Sequence, residues 1–513
     1  MKKSISILLV LMLLLPAFAG CSEATVTDDT AENPLTPSVS ADEDTSKVDD
    51  EETKFAAAIP EGTDYGGMTF TVLTYPNSDA IWSDKDWTAD EMTGEVLNDA
   101  VYLRKQQVNE LLNVEILPAY MTGSGDTATL KNSVAANDGA YQLGTLAIQS
   151  SFKVAQDGYI HELNSFANKG TLDLTAPWWD QNIIPDLSIA GKNFCLTGDI
   201  GTLYKGSLGV FVYNKNLYEQ YQLGKVSGEI LNPQSPSPNT TPYDIMNAGM
   251  WTIDAMVTLG KQVSEDLNGD GIIDGQDRFG LITFCNMLSI AMIGGEVEFF
   301  SKDENDMPVN TFLSERTVSV IDKLSTLMYN PDLSYSWSVS GNDEDPKEMF
   351  LTDKALFRYC EFHDVMEMRE MESDIGILPM PKYDETQKGY HHCVNPDVAA
   401  TIVIPRDNTE YEKTGYIMDA LGAASKNELT PAYYDISLRG KVTRDEESGQ
   451  SLDIIISTVR YDLGYLGGFG ITGILNNMAN SYNTDLISQY GRITRAVSRS
   501  LDRMTETIVQ FED

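Results

Sequence analysis

Residues 198–216 read GDIGTLYKGSLGVFVYNKN, and their centre at 208–214, LGVFVYN, is a short apolar run bounded by polar residues. A run of this length that is rich in Val, Phe and Tyr predicts a strand buried inside a sheet. This strand lies in the middle of the chain, so the pattern of the neighbouring elements can be followed from it in both directions.

Strand and helix signals alternate on the N-terminal side of this strand. Met68, Phe70 and Val72 alternate with threonines, Val114 and Ile116 alternate in the same way, and 141–148 is a third apolar run. An apolar stripe at helical spacing lies between the first two, at Leu97, Ala100, Val101, Val108, Leu111 and Leu112. Strands that alternate with helices are typical of an α/β sheet covered by helices.

The same alternation continues on the C-terminal side. Thr252 precedes a helical stripe at 253–263 and is predicted to cap it. Residues 355–359 and 374–378 predict two further strands. From 453 onward the pattern is mostly helical, with a glycine-rich break. The whole folded part is therefore predicted to be α/β.

The N-terminus has the three-part layout of a secretory signal. Two lysines at 2–3 precede an apolar run at 5–18, which is too short to span a bilayer permanently. The sequence Ala19-Gly20-Cys21 resembles the lipobox, in which a peptidase cuts before the cysteine and the cysteine is acylated. We therefore expect 1–20 to be a signal peptide and Cys21 to be lipidated, with an ordinary signal peptide as the alternative.

An acidic, polar stretch follows the predicted lipidation site. Residues 21–60 are rich in Asp, Glu, Thr, Ser and Ala and nearly lack aromatic residues. Such a stretch buries too little apolar surface to offset the entropy of ordering, so we expect a disordered tether. About 40 flexible residues span roughly 35 Å, which would lift a folded domain clear of the headgroups.

Charge and cysteine content exclude several classes of function. The net charge of −41 argues against nucleic-acid binding, which needs basic surface, and against lying flat on an anionic membrane. Four cysteines remain beside Cys21, namely Cys195, Cys285, Cys360 and Cys393. They are scattered too widely for a disulfide scaffold, so we expect mostly buried free thiols.

Several stretches, in order, resemble the family 1 extracellular solute-binding proteins, the group that includes maltose-binding protein. They are GDIGTLYKGSLGVFVYNKN at 198–216, WTIDAMVTLGKQV at 251–263, KALFRYCEFH at 354–363, IGILPMPKYDETQKG at 375–389 and SLRGKVTRDEESGQSLDIIISTVRYDL at 437–463. The last resembles the tail of a clostridial-type subgroup. The resemblance covers nearly all of 65–513.

The resemblance implies a two-lobed periplasmic-binding-protein type II fold, with a hinge and a ligand cleft between the lobes. It implies a first lobe of 61–208 plus about 388–440, and a second of about 209–387 plus 441–513. It also implies a monomeric carrier of a small solute, with an oligosaccharide as the family's usual ligand and ABC permease subunits as partners. With the predicted anchor, we expect the protein on the extracytoplasmic face of the cell membrane, at a Gram-positive cell surface.

The loop DLNGDGIIDGQD at 266–277 resembles an EF-hand calcium loop. Its ligand positions are occupied by Asp266, Asn268, Asp270, Ile272 (through its carbonyl), Asp274 and Asp277, with Gly271 at the turn. The last position has Asp instead of Glu, and no second helix is predicted after the loop. We expect a structural Ca²⁺; the alternative is a surface turn that binds no ion.

Sugar pockets combine aromatic faces with a few carboxylates and amides, and they form just beyond strand ends. The candidate ligand-binding residues are Tyr75, Trp82, Trp178, Trp179, Asp199, Tyr204, Trp337, Glu361 and Phe362. Phe362 corresponds by resemblance to the stacking aromatic of sugar binders. Core packing is the alternative for each tryptophan.

Catalytic motifs are not apparent in the sequence. It contains no GxSxG, HExxH or phosphate-binding loop motif, and carboxylate pairs have little meaning in so acidic a chain. The pair His391-His392 resembles a metal site, but neighbouring residues of a strand point to opposite faces. We expect no enzyme; a secreted glycosidase and a binding module that feeds a sensor remain the alternatives.

Overall fold

The computed structural model describes residues 54–76, 85–87, 89–123, 125–339, 344–368, 371–439 and 446–511, and for 435–439 the backbone alone. Residues 54–513 form one compact unit. The predicted signal peptide, residues 21–53 of the predicted tether, with Cys21, and Trp82 lie outside the described residues. For residues 54–60 the prediction of disorder was wrong, because Phe55 is hydrogen-bonded to Asn427 through its backbone, and Ala57 and Ile59 pack against a hydrophobic cluster.

Eleven strands are present in the described residues. They are β1 Met68–Thr74, β2 Val114–Tyr120, β3 Leu143–Ala147, β4 Gly209–Asn214, β5 Phe279–Thr283, β6 Phe300–Lys302, β7 Pro308–Asn310, β8 Ser334–Ser336, β9 Ala355–Glu361, β10 Ile375–Leu378 and β11 Ala400–Val403. Every strand predicted from the sequence is among them.

The helices surround these strands and dominate the C-terminal third. They are α1 Val96–Leu112, α2 Ala128–Ala136, α3 Ile148–Gln156, α4 Asn164–Asn168, α5 Ile183–Leu187, α6 Leu203–Gly206, α7 Lys215–Gln220, α8 Leu223–Leu231, α9 Pro242–Asn247, α10 Ile253–Gly260, α11 Met287–Gly294, α12 Glu315–Met328, α13 Pro346–Leu351, α14 Phe362–Glu367, α15 Tyr411–Asn427, α16 Leu429–Arg439, α17 Glu446–Ser457, α18 Leu463–Leu466, α19 Ile471–Asn480, α20 Leu486–Gly491 and α21 Thr494–Val509. Of the described helices, none is long and apolar enough to cross a membrane.

The first sheet has the strand order β11-β3-β1-β2. Strand β1 is parallel to β2 and β3, and β11 is antiparallel to β3. Phe70 and Val72 join one hydrophobic cluster with Val108 of α1, whereas Leu73 joins another with Phe152 of α3. Helices therefore cover both faces, as the alternating sequence pattern predicts.

The second sheet has the strand order β10-β4-β9-β5-β8. All six residues of β4 are buried, as the apolar run predicts, and β4 is antiparallel to both neighbours. The Thr252 hydroxyl accepts the amide of Ala255 at the start of α10, which confirms the predicted cap. Trp251 is fully buried, and its indole N–H donates to the Pro379 carbonyl at 2.9 Å.

Two chain segments cross between the sheets, and a third segment forms backbone hydrogen bonds with one of them. The amide of Asn395 donates to the carbonyl of Ser207 at 2.8 Å, where the chain passes from the first sheet to β4 and returns towards β11. The amide of His392 donates to the carbonyl of Thr458, and that of Arg460 donates to the carbonyl of His392. These segments, at 207–209, 392–395 and 458–460, are called the hinge segments below.

His392 is fully buried within the hinge segments. Its Nε2 accepts the amide of Met380 at 3.0 Å, which places the ring proton on Nδ1, 2.8 Å from the Thr458 hydroxyl. Burial lowers the pKa of His392 to about 3, so the ring is neutral at physiological pH. His391 instead lies 3.2 Å from a carboxylate oxygen of Glu296. The two rings thus have different partners.

The predicted state of the cysteines is confirmed. Cys195, Cys360 and Cys393 are buried free thiols, and Cys285 is a free thiol of intermediate exposure. The chain limits assigned to each lobe stay a prediction. The last helix, α21, contacts both α3, next to the first sheet, and β7.

Arg104 of α1 joins three parts of the chain in the first sheet's helical layer. Its fully buried guanidinium donates to the carbonyls of Ile200 and Asp86 and to the Ser425 hydroxyl, and it lies 4.9 Å from the centre of the Trp87 ring. Replacing it by methionine leaves buried carbonyls without donors, each at a cost of about 1–3 kcal/mol.

We therefore expect Arg104→Met to lower the free energy of unfolding by about 2–4 kcal/mol in denaturant titrations. The matched change at an exposed cation, Lys225→Met, should stay within about 0.5 kcal/mol of the parent. Equal effects of the two substitutions would contradict the central role of Arg104.

Candidate functional site

The carboxyl ends of parallel strands meet at one edge of each sheet, beside the hinge segments. In the first sheet, Tyr75 follows β1 and Gln149 lies at the start of α3, directly after β3. In the second sheet, Asn286 follows β5, Trp337 follows β8 and Glu361 ends β9. Crevices at such edges are the usual ligand sites of α/β proteins. Three of these residues, Tyr75, Trp337 and Glu361, are among those predicted from the sequence.

Glu361 is held from two directions. Its Oε1 accepts the side-chain amide of Asn286 at 3.0 Å and that of Asn395 at 3.0 Å. Asn286 belongs to the second sheet's edge, and Asn395 belongs to the returning hinge segment. The carboxyl group therefore connects the carboxyl-end edge of the second sheet directly to the returning hinge segment.

The environment of Glu361 favours its protonated form. Burial, together with the nearby Asp364 carboxylate, raises the pKa of Glu361 to about 7, although the two asparagine donors partly offset this. A protonated carboxyl group can donate a hydrogen bond as well as accept one. The group can therefore match either kind of partner on a hydroxylated solute.

Two buried oxygens near Glu361 have no hydrogen-bond partner among the described residues. They are Oδ1 of Asn286 and the hydroxyl of Tyr359, two residues before Glu361 on β9. Buried polar atoms are normally paired with protein, water or ligand. These two are therefore available for water or for the hydroxyl groups of a bound solute.

A second group of side chains connects the first sheet's edge to the returning hinge segment. The Gln149 side-chain amide donates to Asp397 at 3.0 Å, and the Tyr75 hydroxyl donates to the carbonyl of Val398 at 3.3 Å. Asn395 also accepts the amide of Asp397 through its side-chain oxygen. Residues 395–398 thus contact the edges of both sheets.

Trp337 provides an accessible aromatic face. Its ring is packed at 5.6 Å and 55° against Phe284, yet the residue remains 36% exposed. Both residues follow strands whose carboxyl ends form the second sheet's edge. A supported, exposed ring at this place can stack on the C–H face of a sugar.

Asp199 and Tyr204 lie in a buried ionic cluster. Asp199 accepts hydrogen bonds from Lys205 at 2.9 Å, Thr430 at 2.7 Å and Lys426 at 3.1 Å. Burial alone would raise the pKa of Asp199, but the two ammonium groups and these hydrogen bonds hold it below its usual range. Tyr204 is buried beside this cluster, and burial raises its pKa well above the usual value.

Trp178 and Trp179 are packed in the interior of the first lobe. Both indole N–H groups donate to Oδ1 of Asp419 at 3.2 Å, and burial raises the pKa of Asp419 to about 6. A side chain at Gly422 of α15 would clash with Trp178, since its Cβ would lie 2.2 Å from the indole. Neither ring presents a face to solvent, which matches the packing alternative.

Phe362 is also buried, with its ring 6.0 Å from that of Tyr433. Its role as a stacking aromatic stays a prediction, as do the ligand-binding roles of Tyr75, Trp178, Trp179, Asp199, Tyr204, Trp337 and Glu361. The sequence reasoning missed Gln149, Asn286, Asn395 and Asp397. Gln149 and Asn286 lie shortly after strands, Asn395 ends a hinge segment and Asp397 lies two residues beyond it. The Asn-Pro-Asp turn at 395–397 was the available signal.

The loop at 266–277 has the predicted turns. Asp266 accepts the amides of Gly269 and Gly271, and the buried Asp277 accepts the amides of Leu267 and Asp274. Asn268 and Asp270 each accept the amide two residues on, and Ile272 is exposed. Across the part of the chain that is described, no three His, Cys, Asp or Glu side chains gather closely enough to hold a metal ion. The calcium assignment stays a prediction.

The pKa of Glu361 predicts a specific dependence of stability on pH. Because the folded-state pKa of about 7 lies above the unfolded value of 4.5, the contribution of this group is fully present below pH 4.5 and is lost towards pH 7. Glutamine does not titrate. The melting temperature of Glu361→Gln, relative to the parent, should therefore rise across this window.

Thermal unfolding at a series of pH values measures this difference, with the exposed Glu298→Gln as the matched control. Parallel curves for Glu361→Gln and the parent would show that Glu361 titrates as it does in the unfolded chain.

Comparisons with known proteins support the fold through structure alone. No protein-family model and no curated protein sequence matches the chain. Among solved structures, an ABC substrate-binding protein of Listeria monocytogenes in complex with cycloalternan aligns with 86% of this chain and 99% of its own, at a TM-score of 0.52 and 12% identity.

Two further solved structures are similar over the same extent. UgpB of Mycobacterium tuberculosis, in complex with glycerophosphocholine, aligns with 85% of this chain and 99% of its own, at a TM-score of 0.54 and 12% identity. A sugar transporter protein of Rhizobium etli, in an open conformation, aligns with 87% of this chain and 100% of its own, at 0.53 and 13%. The clostridial-type subgroup stays a prediction. The chain has the two-lobed α/β fold of the substrate-binding proteins that serve ABC transporters.

Proposed function

We propose that this protein is a carrier that binds an oligosaccharide between its lobes and delivers it to the permease of an ABC importer. The observation that supports this most is the arrangement around Glu361. An acid with two amide partners lies at the edge of one sheet and beside the hinge, and the supported ring of Trp337 lies at the same edge. Such a combination of polar groups and an aromatic face suits a hydroxylated, ring-shaped solute.

The ligands of the structural neighbours support a carrier of small solutes, but they differ in chemistry and do not all favour a sugar. The Listeria protein was solved with cycloalternan, and the Rhizobium protein is described as a sugar transporter. UgpB was solved with glycerophosphocholine. The oligosaccharide proposal therefore depends on the site residues of this chain.

A glycosidase is the alternative from another functional class. Glycoside hydrolysis needs two carboxyl groups on either side of the scissile bond, about 5–10 Å apart, with at least one of them acting on the leaving group. The Listeria protein named above is a substrate-binding protein. Binding without turnover, measured with the same oligosaccharides, distinguishes the carrier from the enzyme.

Membrane attachment through Cys21 is a separate part of the proposal. The apolar run at 5–18 and the Ala19-Gly20-Cys21 sequence support processing and acylation at this cysteine. Mass spectrometry of the protein from its native membrane should find acyl groups on an N-terminal Cys21, and Cys21→Ser should remove these acyl groups and leave only attachment that high salt releases. A binding module that feeds a sensor would have the same anchor. Permease genes next to the gene for this protein would favour import over sensing.

We further propose that the loop at 266–277 binds a structural Ca²⁺ in the second lobe. The oxygens of Asp266, Asn268, Asp270 and Asp274 are spaced as in an EF-hand loop, and such hard oxygen ligands suit calcium. Asp277 already closes the loop by accepting two amides, so its substitution would test folding more than binding.

Calorimetric titration of the demetallated protein should give binding heat and a gain in melting temperature at millimolar calcium. Asp270→Asn should weaken the binding, whereas the exposed Asp332→Asn should leave it unchanged. If the parent protein gives neither heat nor stabilisation, the loop is a turn that binds no ion.

The proposed role of Trp337 gives a direct test of the site. In a thermal-shift and calorimetric screen of oligosaccharides, the parent protein should bind at least one glycan. Because a lost stacking face costs about 1–1.5 kcal/mol, Trp337→Ala should bind that glycan about tenfold more weakly. Phe55→Ala, which removes an exposed ring beside Lys426 of α15, should bind like the parent.

Small-angle scattering with the same glycan should show a smaller radius of gyration, since a hinged cleft closes around its ligand. Equal loss of affinity in Trp337→Ala and Phe55→Ala would show that Trp337 does not contact the glycan. Binding of no glycan in a broad panel would overturn the oligosaccharide proposal.

A further inference from the structure

The last helix, α21, is firmly packed on one face and basic on the other. Val497, Leu501, Met504 and Ile508 form the buried face. The C-terminal end is fixed by Lys192, whose ammonium donates to the carbonyls of Ile508, Val509 and Phe511. The apolar face is thus fully used within the protein, and the opposite face is directed to solvent.

Three arginines of α21 occupy that solvent face, and a fourth lies two residues before the helix. Arg492, Arg495, Arg499 and Arg503 are all exposed. The four-residue spacing of Arg495, Arg499 and Arg503 aligns these three along one side of α21, and Arg492 precedes the helix at the C-terminal end of α20. They are four of the 13 arginines in a chain of net charge −41. Among the described residues, none of the four lies within ion-pair distance of a carboxylate, and Arg492 donates to Gln489.

The stability of the helix does not explain this arrangement. Like charges at a spacing of four residues destabilise a helix by about 0.2–0.5 kcal/mol per pair, and Arg495, Arg499 and Arg503 form two such pairs. Cations near the N-terminal end of a helix also oppose its dipole, and Arg495 is the second residue of α21. The acids on the helix, Asp502 and Glu506, offset only part of the charge.

We propose that the arginine face of α21 docks the folded unit on the anionic phosphate headgroups of a lipid surface. Planar guanidinium groups match phosphate oxygens in paired hydrogen bonds. From 492 to 506 the exposed residues include no aromatic or large aliphatic side chain, as the centre of a protein–protein interface would require. The proposed delivery to a permease also places the carrier at a membrane.

The net charge of the chain and the local charge of α21 act over different distances. At physiological ionic strength, charges are screened beyond about 8 Å, so only the groups near the headgroups matter. The strongly acidic remainder of the surface is repelled from the same lipids. The folded unit should therefore dock in one orientation, with α21 towards the headgroups, and the helix should not insert because its apolar face is already packed.

Vesicle sedimentation tests this docking without any acyl group. The chain from Ser22 onward retains the compact unit at 54–513 and should bind vesicles that contain phosphatidylglycerol but not vesicles of phosphatidylcholine alone. The variant Arg495→Gln/Arg499→Gln/Arg503→Gln should lose about 100-fold in partitioning, since each arginine near an anionic surface contributes about 1 kcal/mol. Added salt should weaken the binding of the parent.

The matched control removes three exposed cations elsewhere, in Lys225→Gln/Lys261→Gln/Lys388→Gln, and should keep the parent's partitioning. The arginine variant should melt no lower than the parent, because relief of like-charge repulsion does not unfold a helix. Absence of binding by the parent, or equal loss in the control, would overturn the proposal. Equally tight binding to polyglutamate would assign the face to an acidic polypeptide instead.

Discussion

The backbone pairing of the hinge segments, at 207–209, 392–395 and 458–460, is the constraint on which the rest of the structure depends. Two of these segments carry the chain between the sheets, and the third is hydrogen-bonded to His392. Each backbone group in this buried region has to find a partner, and the neighbouring segment supplies it. The point at which each hinge segment joins a sheet fixes the position of that sheet relative to the hinge.

The candidate site is a consequence of that connection. The hinge segment at 392–395 continues into residues 395–398, which contact Gln149 and Tyr75 at one sheet and Glu361 at the other. A rotation about the hinge therefore has to move these contacts, and a ligand that binds them differently in the open and closed forms would shift the equilibrium between the two. Glu361 differs from the other site residues because it ends strand β9 and also accepts a hydrogen bond from Asn395 of a hinge segment.

The buried charges of the first lobe serve a different purpose from those of the site. Asp199, Lys205 and Lys426 compensate one another within hydrogen-bonding distance, and Asp419 holds two indoles in place. Such groups fix the packing of the helices α15 and α16 against the segment before β4. Removing one partner would leave an uncompensated charge, so they are expected to be intolerant of change.

The sequence by itself determined the α/β class, the position of each predicted strand and the helix cap at Thr252, because these depend on the spacing of apolar residues along the chain. It also indicated residues that the structure places at the carboxyl ends of strands, namely Tyr75, Trp337 and Glu361, whose ligand-binding roles stay predictions. Only the tertiary structure decided that Trp178 and Trp179 are interior residues, because their environment is provided by Asp419 and Gly422, some 240 residues away. For the same reason it alone revealed Asn286 and Asn395 as partners of Glu361: hydrogen bonds between distant segments leave no periodic signal in the sequence.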